Sequence, residues 1–220
     1  MAQSVYHVDP NHSRLRLAVM GSMALGFVLG AVGLPLLLRG LAAGGVPVLL
    51  GIVLGILLAA VFAAISERVL QRIWPSGRTL AVTERGVTLR EKNGDDIAVE
   101  WAGEVDVTAW AFVIATRRAW VPKGWLCTAL RLQQGETVVI PYAFIKPDAA
   151  RDLPSWRAFE ELIPRKQAEE VGEAVFAAQE GLRAAEEERW WIGVEMQGED
   201  FAAVVAAVTR HVPGWPEGVR

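Results

Sequence analysis

Two long stretches without a charged residue occupy the first third of the sequence and constrain its fold more than any other feature. Leu17–Leu38 covers 22 residues and Leu41–Ile65 covers 25. At 1.5 Å of rise per helical residue, each stretch reaches at least about 30 Å, the thickness of a bilayer core. A cleaved signal peptide would be shorter, and a second apolar run would not follow so closely. The sequence therefore predicts a transmembrane helical hairpin within residues 17–70, preceded by a cytoplasmic leader, residues 1–16.

Small residues recur at every fourth position in both apolar stretches. In lipid, helices associate through close backbone contact, which small side chains permit. A phosphate-binding loop would need a Lys-Ser/Thr pair or a strand–turn–helix context, and neither is present. The alternative is that the glycines only reflect the frequency of glycine in membrane helices. The residues predicted to pack the two helices together are Ser22, Gly26, Gly30, Gly51, Gly55, Ala59 and Ala63.

Basic residues flank the hairpin on the sides that lead to the chain termini. Arg14 and Arg16 precede the first helix and Arg68 and Arg72 follow the second, whereas the connecting loop contains only Arg39. Because cytoplasmic flanks carry an excess of lysine and arginine, both termini and the soluble domain are predicted to lie on the cytoplasmic side of the inner membrane. The predicted helices contain no ionisable residue, which argues against a proton pathway, an ion pathway or a haem site formed by this chain alone.

After residue 76 the periodicity changes, and apolar residues occupy every other position. Thr79–Thr83 and Ile97–Trp101 alternate in this way, and Asn93-Gly94 suits a tight hairpin turn. About six or seven closely spaced antiparallel strands are predicted. A helix over residues 152–164, with an apolar face and a proline near each end, is expected to close one end of the sheet.

These segments resemble, in their order, the bacterial pleckstrin-homology-like (PH-like) membrane proteins. A membrane hairpin is followed by "TLAVTERGVTLRE" and "IAVEWAGEVDV", and "TVVIPYAFIKPDAARDLPSWRAFEELI" is similar to the end of the YcxB-like group of that family. The resemblance covers residues 17–163 and implies a partly open, seven-stranded β barrel capped by one helix, here residues 76–164. The expected fold class is a membrane-anchored α+β protein: a hairpin, then a PH-like antiparallel barrel or sandwich, then an acidic helical extension, residues 165–220.

The loop Thr116–Trp125 departs from the family pattern because it is rich in tryptophan and basic residues. Basic residues near an anionic leaflet each gain about 1 kcal/mol, so this loop is a candidate contact for lipid or for a partner protein. The alternative is a solvated hairpin loop whose tryptophans pack on the barrel or on a partner. The candidate contact residues are Arg117, Arg118, Trp120, Lys123 and Trp125.

The extension, residues 165–220, contains eleven acidic and six basic residues. Its first part repeats apolar residues in alternating steps of four and three, the spacing of a coiled-coil seam. This spacing suits a partner-docking helix, and an acidic helix that rests on its own barrel is the alternative. A second amphipathic helix follows, and residues 190–196 between the two helices suit either a strand or a helix. The candidate docking residues are Val171, Val175, Ala178 and Leu182, and the apolar face of the second helix comprises Phe201, Val204, Val205 and Val208.

Signals for catalysis or ligand binding are sparse. The three histidines are scattered, and the single cysteine, Cys127, has no histidine nearby in the sequence. A nucleophile needs a base within hydrogen-bond reach, so we expect neither an enzyme nor a bound metal ion or cofactor. The net negative charge of the part after the hairpin disfavours nucleic acid as a partner.

The predicted function is that of a non-enzymatic, membrane-anchored scaffold or accessory subunit. It would bind a larger membrane protein complex through the PH-like domain and the C-terminal helices. The expected partners are the lipid bilayer and either another membrane protein or a second copy of the chain. One alternative is a module that senses anionic lipids at the cytoplasmic leaflet. Another is an accessory part of a membrane enzyme or transporter whose carboxylates or histidines come from another subunit.

Overall fold

The computed structural model describes residues 4–9, 13–39, 48–116, 121–164 and 172–215. The chain divides into two compact units. The hairpin unit lies within residues 10–76, and the β unit combines the N-terminal residues up to Asp9 with those from Gly77 onward. The chain therefore starts in the β unit, leaves it to form the hairpin unit and then returns.

The described residues of the hairpin unit are helical as far as Ile73. Helix α1 spans Ser13–Val28, a π-helical turn spans Leu29–Gly33, α2 spans Leu34–Arg39 and α3 spans Val48–Ile73. Two stretches, Leu15–Leu37 and Val48–Leu70, are long and apolar enough to cross a bilayer, judged by length and composition. Their mean hydropathies are 2.1 and 3.0.

The first sheet of the β unit is antiparallel and has the order β1-β2-β3-β4. Its strands are β1 Ser4–His7, β2 Thr79–Val82, β3 Gly86–Arg90 and β4 Asp96–Glu100. The predicted turn joins β3 to β4, and Gly94 has a φ of +88°, a conformation that glycine adopts without steric cost. The sequence predicts only a leader at the N-terminus, whereas residues 4–7 form an edge strand with His7 opposite Thr79.

The second sheet has the order β10-β8-β6-β5-β9, with β7 paired to β6. Its strands are β5 Asp106–Val113, β6 Leu126–Gln134, β7 Thr137–Val139, β8 Pro141–Ile145, β9 Glu160–Glu161 and β10 Val194–Met196. The hairpins β5–β6 and β6–β7 and the β6–β8 pair are antiparallel, whereas β10 runs parallel to β8 and β9 runs parallel to β5. The ambiguous segment between the two C-terminal helices therefore ends as a strand.

The helix predicted over residues 152–164 is wrong. After helix α4, Pro147–Arg151, the chain turns at Ser155, forms a single 3-10 turn at Trp156–Ala158 and then continues as β9. Ser155 has a left-handed φ of +53°, and the preceding Pro154 cannot donate a helical hydrogen bond. The Leu162 amide instead donates to the Ala111 carbonyl at 2.9 Å, so this backbone is hydrogen-bonded to the sheet and not within a helix.

The described residues of the β unit form three further helices: α5 Glu173–Ala178, α6 Glu180–Ile192 and α7 Gly198–His211. The predicted apolar face of α7 is confirmed, because all four of its residues are fully buried. They belong to one hydrophobic core that also contains residues of both sheets, among them Val87 and Leu130. Helix α7 thus closes the core, the role that the sequence assigns to residues 152–164.

Side chains complete the strand pairing at the sheet margins. The Asp9 backbone N–H donates to the Glu195 carbonyl at 2.8 Å, and the Asp9 carboxylate accepts a hydrogen bond from the Glu195 backbone N–H at 2.9 Å. The same carboxylate pairs with Arg78 at 2.6 Å, next to the start of β2. The amide group of Gln134 likewise accepts from the Glu100 N–H at 2.9 Å and donates to the Glu100 carbonyl at 3.0 Å. The contacts of Asp9 with Glu195 and of Gln134 with Glu100 satisfy backbone groups at a sheet margin, where a further strand would otherwise do so.

Replacement of Gln134 by alanine should lower the free energy of unfolding by about 1 kcal/mol, because two hydrogen bonds to the β4 backbone are lost. Urea titration of the full chain in detergent, followed by indole fluorescence, measures this change. Gly103→Ala tests whether the Gln134 side chain makes these bonds, since the added Cβ atom would collide with the Gln134 side-chain nitrogen. In the Gln134→Ala background it should therefore cost less than in the native chain. Additive losses would contradict the pairing.

Candidate functional site

The hairpin unit has small residues between its helices and large apolar residues on its outer faces. Helices α1 and α3 run antiparallel, since Gly26 lies beside Phe62 and Gly51 lies beside Pro35. The outer faces are lined by exposed side chains that include Leu17, Leu25, Val32 and Leu36 before the connecting loop and Ile52, Leu57, Val61 and Ile65 after it. This is the reverse of the pattern in a water-soluble helical pair, where the large apolar residues are buried.

The two helical segments approach each other closely at Gly30 and Gly55. A Cβ atom built on Gly30 would lie 2.6 Å from the Leu54 carbonyl oxygen and 2.7 Å from the Gly55 backbone nitrogen. Cβ atoms on Gly26 and Gly51 would lie 2.9 and 3.0 Å from carbonyl oxygens of the facing segment. Since these neighbours are backbone atoms, only glycine fits at Gly30 without separating the helices.

The remaining predicted packing residues lie along the same interface with less crowding. Ala59 is buried, whereas Ser22 and Ala63 are half-buried. The Ser22 hydroxyl donates to the Val19 carbonyl of its own helix at 2.7 Å, so its polarity is satisfied locally.

The π-helical turn changes the phase of the first helix in a way that the sequence analysis missed. Pro35 has no N–H to donate to the Ala31 carbonyl, as an α-helix would require. The Leu34 amide donates instead to the Leu29 carbonyl, five residues back. The inserted residue brings Ala31 and Pro35 against Gly51. The proline inside an apolar run was the available signal, because prolines and π-turns are common causes of irregular helix geometry.

A groove of about 520 Å³ runs along one outer face of the hairpin unit. Three alanines, Ala24, Ala59 and Ala60, contribute small side chains to its lining. The larger lining residues are Met20, Met23, Phe27, Val28 and Ile56. The lining is wholly apolar, and its methionines are flexible side chains that adapt to different contacts.

In the β unit, α6 is fixed to the outer face of the second sheet by a buried arginine. The Arg189 guanidinium donates to both carboxylate oxygens of Glu186, at 2.7 and 2.6 Å. The Trp110 indole N–H donates to the same carboxylate at 3.0 Å, and Arg189 lies 4.4 Å from the centre of the Tyr142 ring. Burial raises the pKa of the Tyr142 hydroxyl, the Glu195 carboxylate adds to this rise, and Arg189 opposes it. The helix is therefore held by a network in which every charge has a partner.

The end of α6 exposes three consecutive large apolar residues, Trp190, Trp191 and Ile192, which we call the Trp–Trp–Ile patch. Their exposed fractions are 65%, 77% and 42%. They follow directly on Arg189, which is only 4% exposed. The patch is thus a solvent-facing apolar surface on an immobilised helix end. No pattern in the sequence predicts a role for these residues.

The predicted contact loop lies only partly within the described residues. Arg117, Arg118 and Trp120 fall outside them, Lys123 is exposed and Trp125 is half-buried. Trp125 packs with Ile114 and the buried Cys127 in a small hydrophobic cluster of its own domain. A contact of this loop with lipid or with a partner stays a prediction.

The predicted docking helix is not a continuous free seam. Val171 lies outside the described residues, Val175 is half-buried and Ala178 is exposed. Helix α5 ends there, because Gln179 turns and binds the β9 segment, accepting from Ile163 at 3.1 Å and donating to Glu161 at 2.9 Å. Leu182 packs on Trp110 and is buried against its own sheet. At Leu182 the structure therefore agrees with the alternative prediction, in which the helix rests on its own domain.

Among the described residues, no group of three or more His, Cys, Asp or Glu side chains lies close enough together to hold a metal ion. Comparison with protein families, with curated proteins and with solved structures finds no match for this chain.

Proposed function

We propose that the chain is a membrane-anchored accessory subunit of a larger membrane protein complex. In this proposal the hairpin unit crosses the bilayer, and the β unit is a PH-like domain on the cytoplasmic side. The apolar outer faces of the hairpin unit support the anchor, because only lipid or another apolar helix solvates such side chains favourably. The two sheets, with α7 closing the core between them, are compatible with a PH-like barrel.

The observation that carries the proposal is the groove along Ala24, Ala59 and Ala60. Helices in lipid associate where small residues allow their backbones to approach, and this groove offers small residues between larger walls. An apolar membrane helix of another protein is the occupant that we propose. The described residues that line the groove include no ionisable group, so the expected association depends on packing and shape rather than on charge.

A photo-reactive residue placed at Met23, in the groove wall, should crosslink in native membranes to an apolar segment of an integral membrane protein identified by mass spectrometry. Ala60→Leu fills the groove and should abolish this crosslink while leaving membrane extraction behaviour unchanged. Val61→Leu is the matched control, since Val61 is 53% exposed and does not line the groove.

Three outcomes would overturn the proposal. Release of the native chain from membranes by alkaline carbonate would show that the hairpin unit does not span the bilayer. Crosslinks only to lipid, or only to a second copy of the chain, would remove the accessory role. A crosslink that survives Ala60→Leu would show that the groove is not the binding site.

A further inference from the structure

We infer that the Trp–Trp–Ile patch is an interfacial anchor whose side chains insert into the headgroup layer of the bilayer that holds the hairpin unit. The inference rests on the proposed membrane anchor and goes beyond it, because it assigns a second, independent membrane contact to the β unit.

The first step is the chemistry of the patch. Trp190 and Trp191 expose most of their surface, and Ile192 adds an aliphatic side chain to the same helix end. Large apolar side chains in water are costly when contiguous, and such patches mark interaction sites. Indole rings are amphipathic, with an apolar body and one N–H donor, and tryptophan is enriched where hydrocarbon meets headgroups.

The second step is that the patch is held in a fixed direction. Arg189 immediately precedes it and lies over the Tyr142 ring of the second sheet. Glu186, one turn earlier, accepts from the Trp110 indole of the same sheet, so the last turns of α6 are held against the sheet. Gly193 follows it, and a Cβ atom there would collide with the Arg189 carbonyl oxygen. This glycine lets the chain turn directly from α6 into β10. An insertion surface needs this kind of support, since a mobile patch would lose more conformational entropy on binding.

The third step is the length of the chain that connects the patch to the apolar helices. Trp191 is four residues from Glu195, whose backbone is bonded to Asp9, and only residues 10–12 separate Asp9 from α1. Arg78, paired with Asp9, is five residues beyond the end of α3. An extended chain spans at most about 3.6 Å per residue. The connection from Asp9 to α1 and the connection from α3 to Arg78 therefore each span no more than about 20 Å. By chain length alone, a bilayer around the hairpin is within reach of this part of the β unit.

The fourth step is charge, which selects the kind of lipid contact. Glu187, one turn before the patch, is exposed, and the segment from residue 165 onward contains more acidic than basic residues. Anionic lipids would repel these carboxylates. Insertion therefore depends on the indoles and the isoleucine, and phosphatidylcholine alone suffices. A basic loop acting on anionic headgroups would show the opposite lipid preference.

The test uses the full chain, labelled with 5-fluorotryptophan, in phosphatidylcholine nanodiscs. Resonances are assigned with single Trp→Phe replacements at Trp74, Trp110, Trp190 and Trp191. Relaxation is measured with headgroup nitroxide lipids and, separately, with a soluble paramagnetic chelate. Trp190 and Trp191 should lose intensity with the nitroxide lipid and be protected from the chelate. Trp110, which is fully buried, should respond to neither agent. Adding phosphatidylglycerol should not strengthen the lipid effect.

Trp74, at the end of α3, is the internal reference for the membrane anchor, because it should respond to the nitroxide lipid in the same way. If Trp74 responds and the patch remains open to the chelate, the inference is overturned while the hairpin proposal stands. If Trp74 shows no lipid contact, the hairpin proposal itself fails. Protection of the patch from both agents would mean that protein covers it, which also overturns the inference.

Discussion

Replacement of Arg189 by methionine should lower the free energy of unfolding of the β unit by about 3 kcal/mol, the cost typical of breaking a buried ion pair. The Arg189 side chain is 3% exposed and its partner Glu186 is 22% exposed. Methionine keeps most of the side-chain volume but, among the described residues, leaves the Glu186 carboxylate with the Trp110 donor alone. Urea unfolding of the full chain in mild detergent, followed by indole signals, measures the loss.

A charge-neutral double variant separates the stranded carboxylate from lost packing. Arg189→Met with Glu186→Gln should recover part of the stability, because the amide oxygen still accepts from Trp110 and no charge remains unpaired. Arg90→Met is the matched control, since Arg90 and Asp96 form a similar pair at 2.8 Å with exposed fractions of 64% and 41%. Exposed pairs contribute little, so this control should change stability barely at all. Equal losses at Arg189 and Arg90 would contradict the argument.

Replacement of Gly30 by leucine should open the helical hairpin and lower its stability by about 3 kcal/mol, the upper end of what overpacking typically costs. The new side chain would meet the Leu54 carbonyl and the Gly55 backbone, neither of which can rotate aside. Spin labels at the exposed positions Leu17 and Ile65 should report a longer and broader distance distribution in the variant. The thermal midpoint in detergent should fall as well.

Gly21→Leu provides the matched control for this prediction. A Cβ atom on Gly21 meets nothing within 4 Å, so the substitution adds an apolar side chain without a clash. It removes a flexible residue from the interior of α1 and should be neutral or slightly stabilising. A similar opening in both variants would show that helix propensity or detergent, rather than contact between the helices, sets the distance.

The apolar helices were the most predictable part of the chain, because length and hydropathy are properties of a local segment. Their ends were less predictable. Helix α3 continues to Ile73 although the uncharged run stops at Ile65, since Ser66–Ile73 contains neither proline nor glycine. The strands of the hairpins were predictable for a similar reason, as alternation and the Asn93-Gly94 turn are both encoded within a few residues.

Long-range pairings account for what the sequence did not reveal. Residues 4–7 become a strand only because β2, more than seventy positions later, pairs with them. The sequence around residues 160–161 has the apolar spacing of a helix. Pairing with β5 and the left-handed conformation of Ser155 exclude a helix there. The Arg189 network was hidden as well, because an arginine near glutamates in an acidic run is typical of a solvated helix face.

The paired side chains of Asp9 and Arg78 have a mechanical consequence. Both connections to the hairpin unit leave the β1–β2 ladder at the same end, beyond the His7–Thr79 rung. Tension that drew the connections apart would load this ion pair and the two Asp9–Glu195 hydrogen bonds first, and would then open the ladder one rung at a time instead of loading all rungs together. Under force, the N-terminal strand is therefore the first element to detach, while the sheet behind it keeps its own hydrogen bonds.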